Sequence, residues 1–329
     1  MTKGLVLTCD PRFVSELKKE LQLPKEHYEL LVLAPGVLLA AAEDVGAPIF
    51  LRHRFPVEHV AEVGHTLMDL PLLVAAATPL LAAAESGTKV AVQCRIMDEA
   101  CPYRAAEVKV ALDEVLLTRG LLPETKHPQI VLSVLIAKQR AYLGLSSPVQ
   151  NLSRWNGGAA HYGRPSGALS RAEHKLEEAF EVFNIELAAA AQVLDLGAAP
   201  GGWTSFLLKR GHYVTAVDTG ELARELLTHP RLIYHRQNAW HIKPLADTFD
   251  LITCDMGREA SGTVEVLLHL ASSLKSGGAL LMTVKFMGHE PLPLIRECRR
   301  KLEQRYRLQA GRHLWHNREE VTLYLVRHT

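Results

Sequence analysis

The sequence predicts an α/β protein in two parts: a C-terminal Rossmann-like, mainly parallel sheet with an antiparallel edge, and an α+β region ahead of it. Three observations lead to this prediction. After residue 170, apolar strand-like segments alternate with helical ones, which is typical of a doubly wound sheet. The last two strand-like segments have no helix between them and are expected to pair antiparallel, at 308–315 and 320–327. Ahead of residue 150, strand, helix and strand patterns follow one another, at 89–95, 103–118 and 130–136.

The individual elements follow from the spacing of apolar residues. Residues 4–9 read as a strand. Asp10 and Pro11 then predict a helix start, because aspartate caps a first turn and proline suits its first position. In the C-terminal half, strands are expected at 193–196, 213–218, 232–235, 249–255 and 279–286. Helices are expected at 204–210, 221–228, 264–274 and 292–304.

Shifts in composition divide the chain into segments. The stretch from about 146 to 168 is rich in Ser, Pro, Asn and Gly, which is typical of a boundary or linker. The elements from 22 to 85 are not assigned individually. We expect an N-terminal α+β region, an α+β module, a linker and the parallel-sheet domain, at 1–84, 85–150, 151–169 and 170–329.

The overall composition is that of an ordinary globular protein, since 48% of the 329 residues are hydrophobic and 22% are charged. A formal net charge of +1 excludes a globally basic nucleic-acid-binding protein but not a local basic face. The longest apolar stretch, 70–84, contains two prolines and is shorter than the ~20 residues of a membrane span. Five scattered cysteines without metal-ligand spacing predict a reducing, cytoplasmic location and no metal site.

The segment 193–204 carries the strongest chemical signal. A strand runs into a glycine-rich turn and then a helix, and glycines let the backbone approach a ligand at the carboxyl end of a strand. Asp218 ends the next strand, where a carboxylate can accept hydrogen bonds from ribose hydroxyls. Alone, the glycines suit a tight turn and Asp218 a helix cap, but their order predicts an S-adenosylmethionine pocket. A dinucleotide is disfavoured, because GxGxxG spacing is absent and Pro200 lies inside the turn.

A resemblance to a known family follows from these motifs. The string at 198–203, Ala-Ala-Pro-Gly-Gly-Trp, resembles that of the FtsJ-like ribose 2′-O-methyltransferases. Further similar motifs follow the family's order, at 170–180, 255–256, 261–262, 283–286 and 318–321. Within the family, 175–180 and 318–322 most resemble members that methylate a cytidine ribose in large-subunit ribosomal RNA. The module at 85–145 resembles a THUMP domain, which is an RNA-binding unit.

The resemblance implies S-adenosylmethionine as cofactor, ribosomal RNA as partner and a set of site residues. The catalytic tetrad of the family corresponds to Lys175, Asp255, Lys285 and Glu320. The expected cofactor-binding residues are Ser170, Gly197, Ala199, Pro200, Gly201, Gly202, Trp203, Asp218, Asn238 and Asp255. Asn238 departs from the family, which usually has an acidic residue there to receive the adenine amino group. Its side-chain carbonyl keeps an acceptor of similar reach.

The residues themselves support the tetrad, because Asp255 and Lys285 each follow an apolar strand, where open sheets bind ligands. The alternative is an ion network that only closes the top of the sheet. Methyl transfer from a sulfonium requires alignment of the attacking oxygen and removal of its proton, for which Lys285 is the candidate base. Lys175 and the sulfonium would lower the pKa of Lys285, whereas Asp255 and Glu320 would raise it, and sequence leaves that balance open. A role in orienting the hydroxyl, with the proton leaving later to water, also remains open.

Local charge and aromatic residues suggest contacts with RNA phosphates and bases. The basic residues of the C-terminal half are Arg296, Arg299, Arg300, Lys301, Arg305, Arg307 and Arg312, and those near the linker are Arg154, Arg164 and Arg171. Trp155 and Tyr162 are candidate stacking surfaces. The alternative for each charge cluster is a solvated face. His313 and His316 have no further ligand at metal-binding spacing, so no metal is expected.

Two rival functions remain at this level. One is a methyltransferase that acts on transfer RNA or on a small molecule. The other is a catalytically silent RNA-binding protein on a methyltransferase scaffold. The presence of all four tetrad residues speaks against the silent scaffold, because a lapsed site has no chemical reason to keep two lysines and two acids. The modified nucleotide and the oligomeric state are not fixed by these patterns.

Overall fold

The computed structural model describes residues 4–21, 30–163 and 172–329. Ser170, Arg164 and Arg171 therefore lie outside the described residues. The chain forms two compact units, Met1–Ala160 and His161–Thr329. In the described part of the chain, no helix combines the length and the apolar character needed to cross a membrane.

The first unit begins with an antiparallel four-stranded sheet in the order β2-β3-β1-β4. Its strands are β1 (Gly4–Thr8), β2 (Leu30–Ala34), β3 (Val37–Ala40) and β4 (His53–Val57). The predicted cap is confirmed, since the Asp10 side chain accepts a hydrogen bond from the Arg12 amide at 3.0 Å. The short 3-10 helix Pro11–Phe13 follows and leads into α1 (Val14–Leu21).

A five-stranded sheet in the order β5-β9-β8-β6-β7 completes the first unit. Its strands are β5 (His59–Glu62), β6 (Lys89–Ile96), β7 (Leu122–Pro123), β8 (Ile130–Ala137) and β9 (Arg140–Ser146). Helices α2 (Asp69–Ala77) and α3 (Ala105–Thr118) share one hydrophobic core with it. The predicted boundary between 84 and 85 would cut β5 and α2 away from the sheet and the core to which they belong.

Residues 151–160, the first part of the predicted linker, are packed into the first unit. The Thr8 hydroxyl donates a hydrogen bond to the Gly157 carbonyl at 3.0 Å, and the Asn156 amide donates to the Cys94 carbonyl at 2.8 Å. Both contacts are made to strands, β1 and β6 respectively. This segment is therefore part of a folded body, and we propose that the domain boundary lies after Ala160.

The second unit is built on a seven-stranded sheet in the order β12-β11-β10-β13-β14-β16-β15. Its strands are β10 (Gln192–Leu196), β11 (Tyr213–Asp218), β12 (Leu232–Arg236), β13 (Phe249–Cys254), β14 (Leu274–Lys285), β15 (Tyr306–Arg312) and β16 (Glu320–Arg327). The first five strands in this order are parallel, whereas β16 is antiparallel to both its neighbours. The predicted Rossmann-like sheet with an antiparallel edge is confirmed.

Four helices accompany this sheet: α4 (Ala172–Val182), α5 (Gly202–Lys209), α6 (Ala260–His269) and α7 (Pro291–Leu302). The predicted helix at 221–228 is wrong, because successive turns occupy this segment. The Ala223 amide donates to the Pro200 carbonyl at 2.9 Å, which ties the segment to the glycine-rich turn. Leu222 and Leu226 are buried there without a continuous helix, so their four-residue spacing was a misleading helical signal.

Candidate active site

The four predicted catalytic residues come from four elements that meet at one edge of the sheet. Asp255 directly follows β13, and Lys285 is the last residue of the parallel strand β14. Glu320 is the first residue of the antiparallel strand β16 and pairs in register with Lys285. Lys175 reaches the same point from the first turn of α4. Parallel strands end at the same edge of a sheet and an antiparallel strand begins there, so the topology brings the four residues together.

The four side chains form a closed ring of alternating charge. Lys175 Nζ lies 2.9 Å from Asp255 Oδ2 and 2.6 Å from Glu320 Oε1. Lys285 Nζ lies 2.8 Å from Asp255 Oδ1 and 2.7 Å from Glu320 Oε2. The Lys285 side chain is the most exposed of the four, at 23%, so a substrate hydroxyl reaches it more easily than it reaches Lys175, at 9%.

The ring shifts the pKa values of two of its members. Burial alone would lower the pKa of Lys285, but the adjacent Asp255 and Glu320 carboxylates outweigh it and raise this pKa above its usual value. Burial would raise the pKa of Asp255, but the charges of Lys175 and Lys285 hold it below its usual value. In the protein without cofactor and substrate, the two carboxylates thus outweigh burial. In that state Lys285 is a cation at neutral pH.

The glycine-rich turn lies beside the ring, at the carboxyl end of β10. Gly197 and Gly201 have φ values of +77° and +119°, in the region that favours glycine. A Cβ atom on Gly197 would lie 2.8 Å from the Met256 Cα atom, and one on Gly201 would overlap a Leu226 methyl group. The Ala199-Pro200 peptide bond is cis. Position 197 therefore needs glycine for both conformation and space, and position 201 needs it for its conformation.

A cavity of about 190 Å³ opens next to this turn. The side chains and backbone around it are those of Gly197, Val217, Asp218, Thr219, Gln237, Asn238, Ala239, Met256, Gly257 and Arg258. The Asp218 carboxylate accepts hydrogen bonds from the Ala199 and Gly220 amides at 2.9 and 2.7 Å, which fixes it at the cavity wall. Met256, the residue after Asp255, lines the cavity, so the cavity adjoins the charged ring.

Comparison with known proteins identifies the family of this site. A family model described as FtsJ-like methyltransferase matches residues 168–296, which include the glycine-rich turn and the first three ring residues. Over these residues the chain is similar to the FtsJ-like methyltransferase family. The resemblance seen in the motifs is thereby confirmed.

Individual relatives match the chain at 26–34% identity, and the first of them are matched over less than two thirds of their own length. A Pseudoalteromonas translucida protein named Ribosomal RNA large subunit methyltransferase M is 32% identical over 67% of this chain, and the match spans 64% of that relative's length. A protein of the same name from Aeromonas hydrophila is 26% identical over 98% of this chain and 96% of its own. The crystal structure of TrmN from Thermus thermophilus matches 99% of both chains with 19% identity and a TM-score of 0.41.

The remaining predicted cofactor residues lie in different surroundings. Asn238 borders the cavity, and its side-chain oxygen also accepts a hydrogen bond from the Trp240 amide at 3.0 Å, so it caps a short 3-10 helix. Trp203 is buried in the hydrophobic core of the second unit. Gly202 is the first residue of α5. Ser170 lies outside the described residues.

Two acidic residues of the second unit were missed by sequence reasoning. Asp195 on β10 is 1% exposed and accepts hydrogen bonds from the Thr204 and Thr253 hydroxyls at 2.6 and 2.9 Å. Burial raises its pKa to about 6. Glu178, on α4, accepts hydrogen bonds from the loop before Glu320. An acid inside an apolar strand or on the buried face of a helix is the signal that could have found both.

The basic residues considered for RNA contact separate into exposed and buried ones. Arg296, Arg299, Arg300, Arg305 and Arg307 are exposed. Arg312 is 8% exposed and is not part of that surface, because it lies on β15 with its side chain packed into the protein. The charge run in the sequence does not separate the two groups, since β15 turns alternate side chains inward.

The aromatic residues considered for base stacking, and the two histidines considered for metal binding, contact other groups within the protein. Tyr162 stacks on His174 with ring centroids 5.8 Å apart, and His316 packs beside both rings. Trp155 lies under the Arg154 guanidinium at 4.5 Å. His313 Nε2 lies 3.0 Å from the Arg318 carbonyl, and His316 Nδ1 lies 2.6 Å from the Glu178 carboxylate.

Replacing Gly197 with alanine is expected to weaken S-adenosylmethionine binding by about 10-fold or more, because the added methyl group pushes Met256 at the cavity wall. Gly277→Ala is the matched control, since Gly277 has a similar φ of +71° but open space around its Cβ position. Both variants carry similar backbone strain, so only Gly197→Ala should lose affinity in calorimetry. Equal affinities for the two variants would contradict the assignment of this cavity.

Proposed function

We propose that this protein transfers the methyl group of S-adenosylmethionine to the 2′-hydroxyl of a ribose in large-subunit ribosomal RNA, with cytidine as the modified nucleoside. The observation that supports this most is the closed ring of Lys175, Asp255, Lys285 and Glu320 next to the glycine-lined cavity. The names of the relatives in Pseudoalteromonas and Aeromonas support the choice of ribosomal RNA.

The cavity fits the expected cofactor in its chemistry. The glycines of the turn leave backbone open to the ligand, and the carboxylate of Asp218, fixed by the Ala199 amide, would accept hydrogen bonds from ribose hydroxyls. The Asn238 side chain offers a carbonyl for the adenine amino group. When bound, S-adenosylmethionine supplies a methyl group on a positively charged sulfur.

The charged ring then acts on the incoming hydroxyl. Lys285, held between Asp255 and Glu320, orients the hydroxyl oxygen. When Lys285 is in its neutral form, its amine receives the proton of the hydroxyl. Asp255 also accepts a hydrogen bond from the Thr283 hydroxyl at 2.8 Å, so the carboxylate between the two lysines is fixed. Such fixed geometry matters, because an in-line displacement depends on the alignment of the reacting atoms.

The first unit is proposed to select the RNA. It contains the THUMP-like pattern β6, α3, β8 and β9, whereas the cavity and the charged ring lie wholly in the second unit. Phosphate contacts give affinity without sequence information, so a separate element is needed to choose one nucleotide. A cytoplasmic location is part of this proposal, in keeping with five cysteines that are all free thiols.

The test is to map 2′-O-methyl marks on ribosomal RNA from cells with and without this protein. We expect one cytidine of large-subunit RNA to lose its mark and to regain it in vitro with purified protein and labelled S-adenosylmethionine. Label that enters only transfer RNA would contradict the substrate. The absence of transfer to any RNA or small molecule, with cofactor binding retained, would favour the silent scaffold.

Replacing Arg296 and Arg300 on α7 with alanine is expected to weaken RNA binding equally for all sequences, because exposed arginines contact phosphates. The slope of log affinity against log salt should fall by about 2 if both contact phosphate. The control is Arg299→Ala, since the Arg299 guanidinium is already 2.7 Å from Glu303. Filter binding at several salt concentrations measures the effect. An unchanged slope in the double variant would show that this face is only solvated.

A further inference from the structure

Glu178 makes an unusual set of contacts for a carboxylate on a helix. It lies one turn after Lys175 on α4 and is 3% exposed. Its Oε1 accepts a hydrogen bond from the Trp315 amide at 2.7 Å, and its Oε2 accepts one from the His316 amide at 3.0 Å. His316 Nδ1 lies 2.6 Å from the same Oε2. The carboxylate thus binds two consecutive backbone amides and one side chain of a single loop.

That loop, residues 313–319, leads directly to Glu320. Asn317 braces it from within, because its side-chain oxygen accepts from the Leu314 amide at 2.8 Å while its amide group points to Glu320 Oε1 at 3.5 Å. At the far end of the loop, the Glu319 carbonyl accepts a hydrogen bond from the Phe286 amide at 2.9 Å. The Glu320 backbone is paired with Lys285, so a displacement of the loop would act on the Glu320 carboxylate, by moving the Asn317 amide away from it.

We propose that Glu178 is a positioning residue for the charged ring, because it ties the loop that carries Glu320 to the helix that carries Lys175. The helix and the loop that Glu178 connects also lead to the two partners of one ion pair, since Lys175 Nζ lies 2.6 Å from Glu320 Oε1. A buried carboxylate is costly unless its oxygens are satisfied, and here they are satisfied by the loop. This inference rests on the methyl transfer proposed above.

A purely structural role would look different in one measurable property. Glu320 is one of the two carboxylates that raise the pKa of Lys285. If Glu178 sets the position of Glu320, loss of the tie lowers the pKa of Lys285 toward its usual value. If Glu178 only stabilises the fold, the folded variant keeps the wild-type titration of Lys285.

The experiment compares Glu178→Gln with the matched control Glu177→Gln in the full chain. The glutamine side chain would place its NH₂ group against one of the two backbone amides of the loop. Both groups are hydrogen-bond donors, so one of the two backbone hydrogen bonds would be lost. Glu177 is the neighbouring acid on the same helix and lies 3.5 Å from His174 rather than on the loop. The first readout is the pH dependence of Lys285 acetylation by trace acetic anhydride, read by mass spectrometry. Its midpoint reports the pKa and its plateau reports accessibility.

We expect the midpoint to move to lower pH in Glu178→Gln, in the same direction as in Glu320→Gln, and to stay at the wild-type value in Glu177→Gln. In the second readout, kcat for methyl transfer should fall by about 10- to 100-fold with an unchanged Kd for S-adenosylmethionine. A wild-type midpoint in folded Glu178→Gln would overturn the proposal. If that variant does not fold, His316→Phe, which keeps the ring packing and removes the third contact, decides by the same midpoint criterion.

The labelling readout requires no RNA. A wild-type protein that transfers no methyl group would therefore overturn the proposed function while the midpoint comparison still decides the role of Glu178.

Discussion

Replacing Lys285 with alanine is expected to lower methyl transfer by about 10²-fold or more, the usual contribution of a general base, while S-adenosylmethionine binds as before. Transfer should fall because Lys285 is the more exposed lysine of the ring. Cofactor binding should be unchanged because Lys285 does not border the cavity. Single-turnover transfer and calorimetry measure the two quantities.

Lys275→Ala is the matched control for this variant. Lys275 lies at the other end of the same strand, β14, and is paired with Asp250 at 2.7 Å. Its loss should leave the rate unchanged. Wild-type turnover in Lys285→Ala would indicate that the ring only closes the sheet. A fully active Lys285→Arg would exclude proton removal, since arginine stays charged near neutral pH.

The rate of methyl transfer is expected to rise about tenfold for each pH unit from neutral pH upward, until the pKa of Lys285 is reached. The sign follows from the raised pKa, because Lys285 is protonated below that value and only its neutral form accepts a proton. Glu320→Gln removes one of the charges that raise this pKa. The rising limb of its single-turnover profile should therefore shift to lower pH.

Glu303→Gln is the control for the shift, since Glu303 is an exposed acid paired with Arg299 and lies away from the ring. Its profile should coincide with that of the wild type. A flat profile between neutral and alkaline pH, in a reaction limited by chemistry, would assign Lys285 an orienting role with the proton leaving later to water.

The segments in which local sequence and tertiary structure agree were predictable. The strand-to-turn-to-helix string around Gly197 and Gly201 is specified locally, because two positive-φ glycines and a proline leave the backbone few alternatives. The convergence of Asp255 and Lys285 follows from parallel strand ends alone. Glu320 required the family motif, because an acid at the start of a strand is not by itself a signal.

The failures have identifiable physical causes. Leu222 and Leu226 have helical spacing, yet burial against the glycine-rich turn replaced helical hydrogen bonds in that segment. Arg312 belongs to a run of basic residues, but the alternation of β15 turns it inward. The strand His59–Glu62 pairs with β9, some eighty residues later, and no local pattern reveals a partner so distant.

The place of β16 in the sequence, after the other elements that carry ring residues, fixes the order in which the four ring residues are synthesised. Glu320 is the last of the four ring residues to be translated, and it enters the site at the start of its strand. A nascent chain therefore has the glycine-rich turn, Asp218 and both lysines before it has the second carboxylate. Before Glu320 is made, Asp255 is the single acidic partner within the ring that the sequence supplies to the two lysines. The charged ring can therefore close only after β16 has been made, and by then every residue of the first unit has been synthesised.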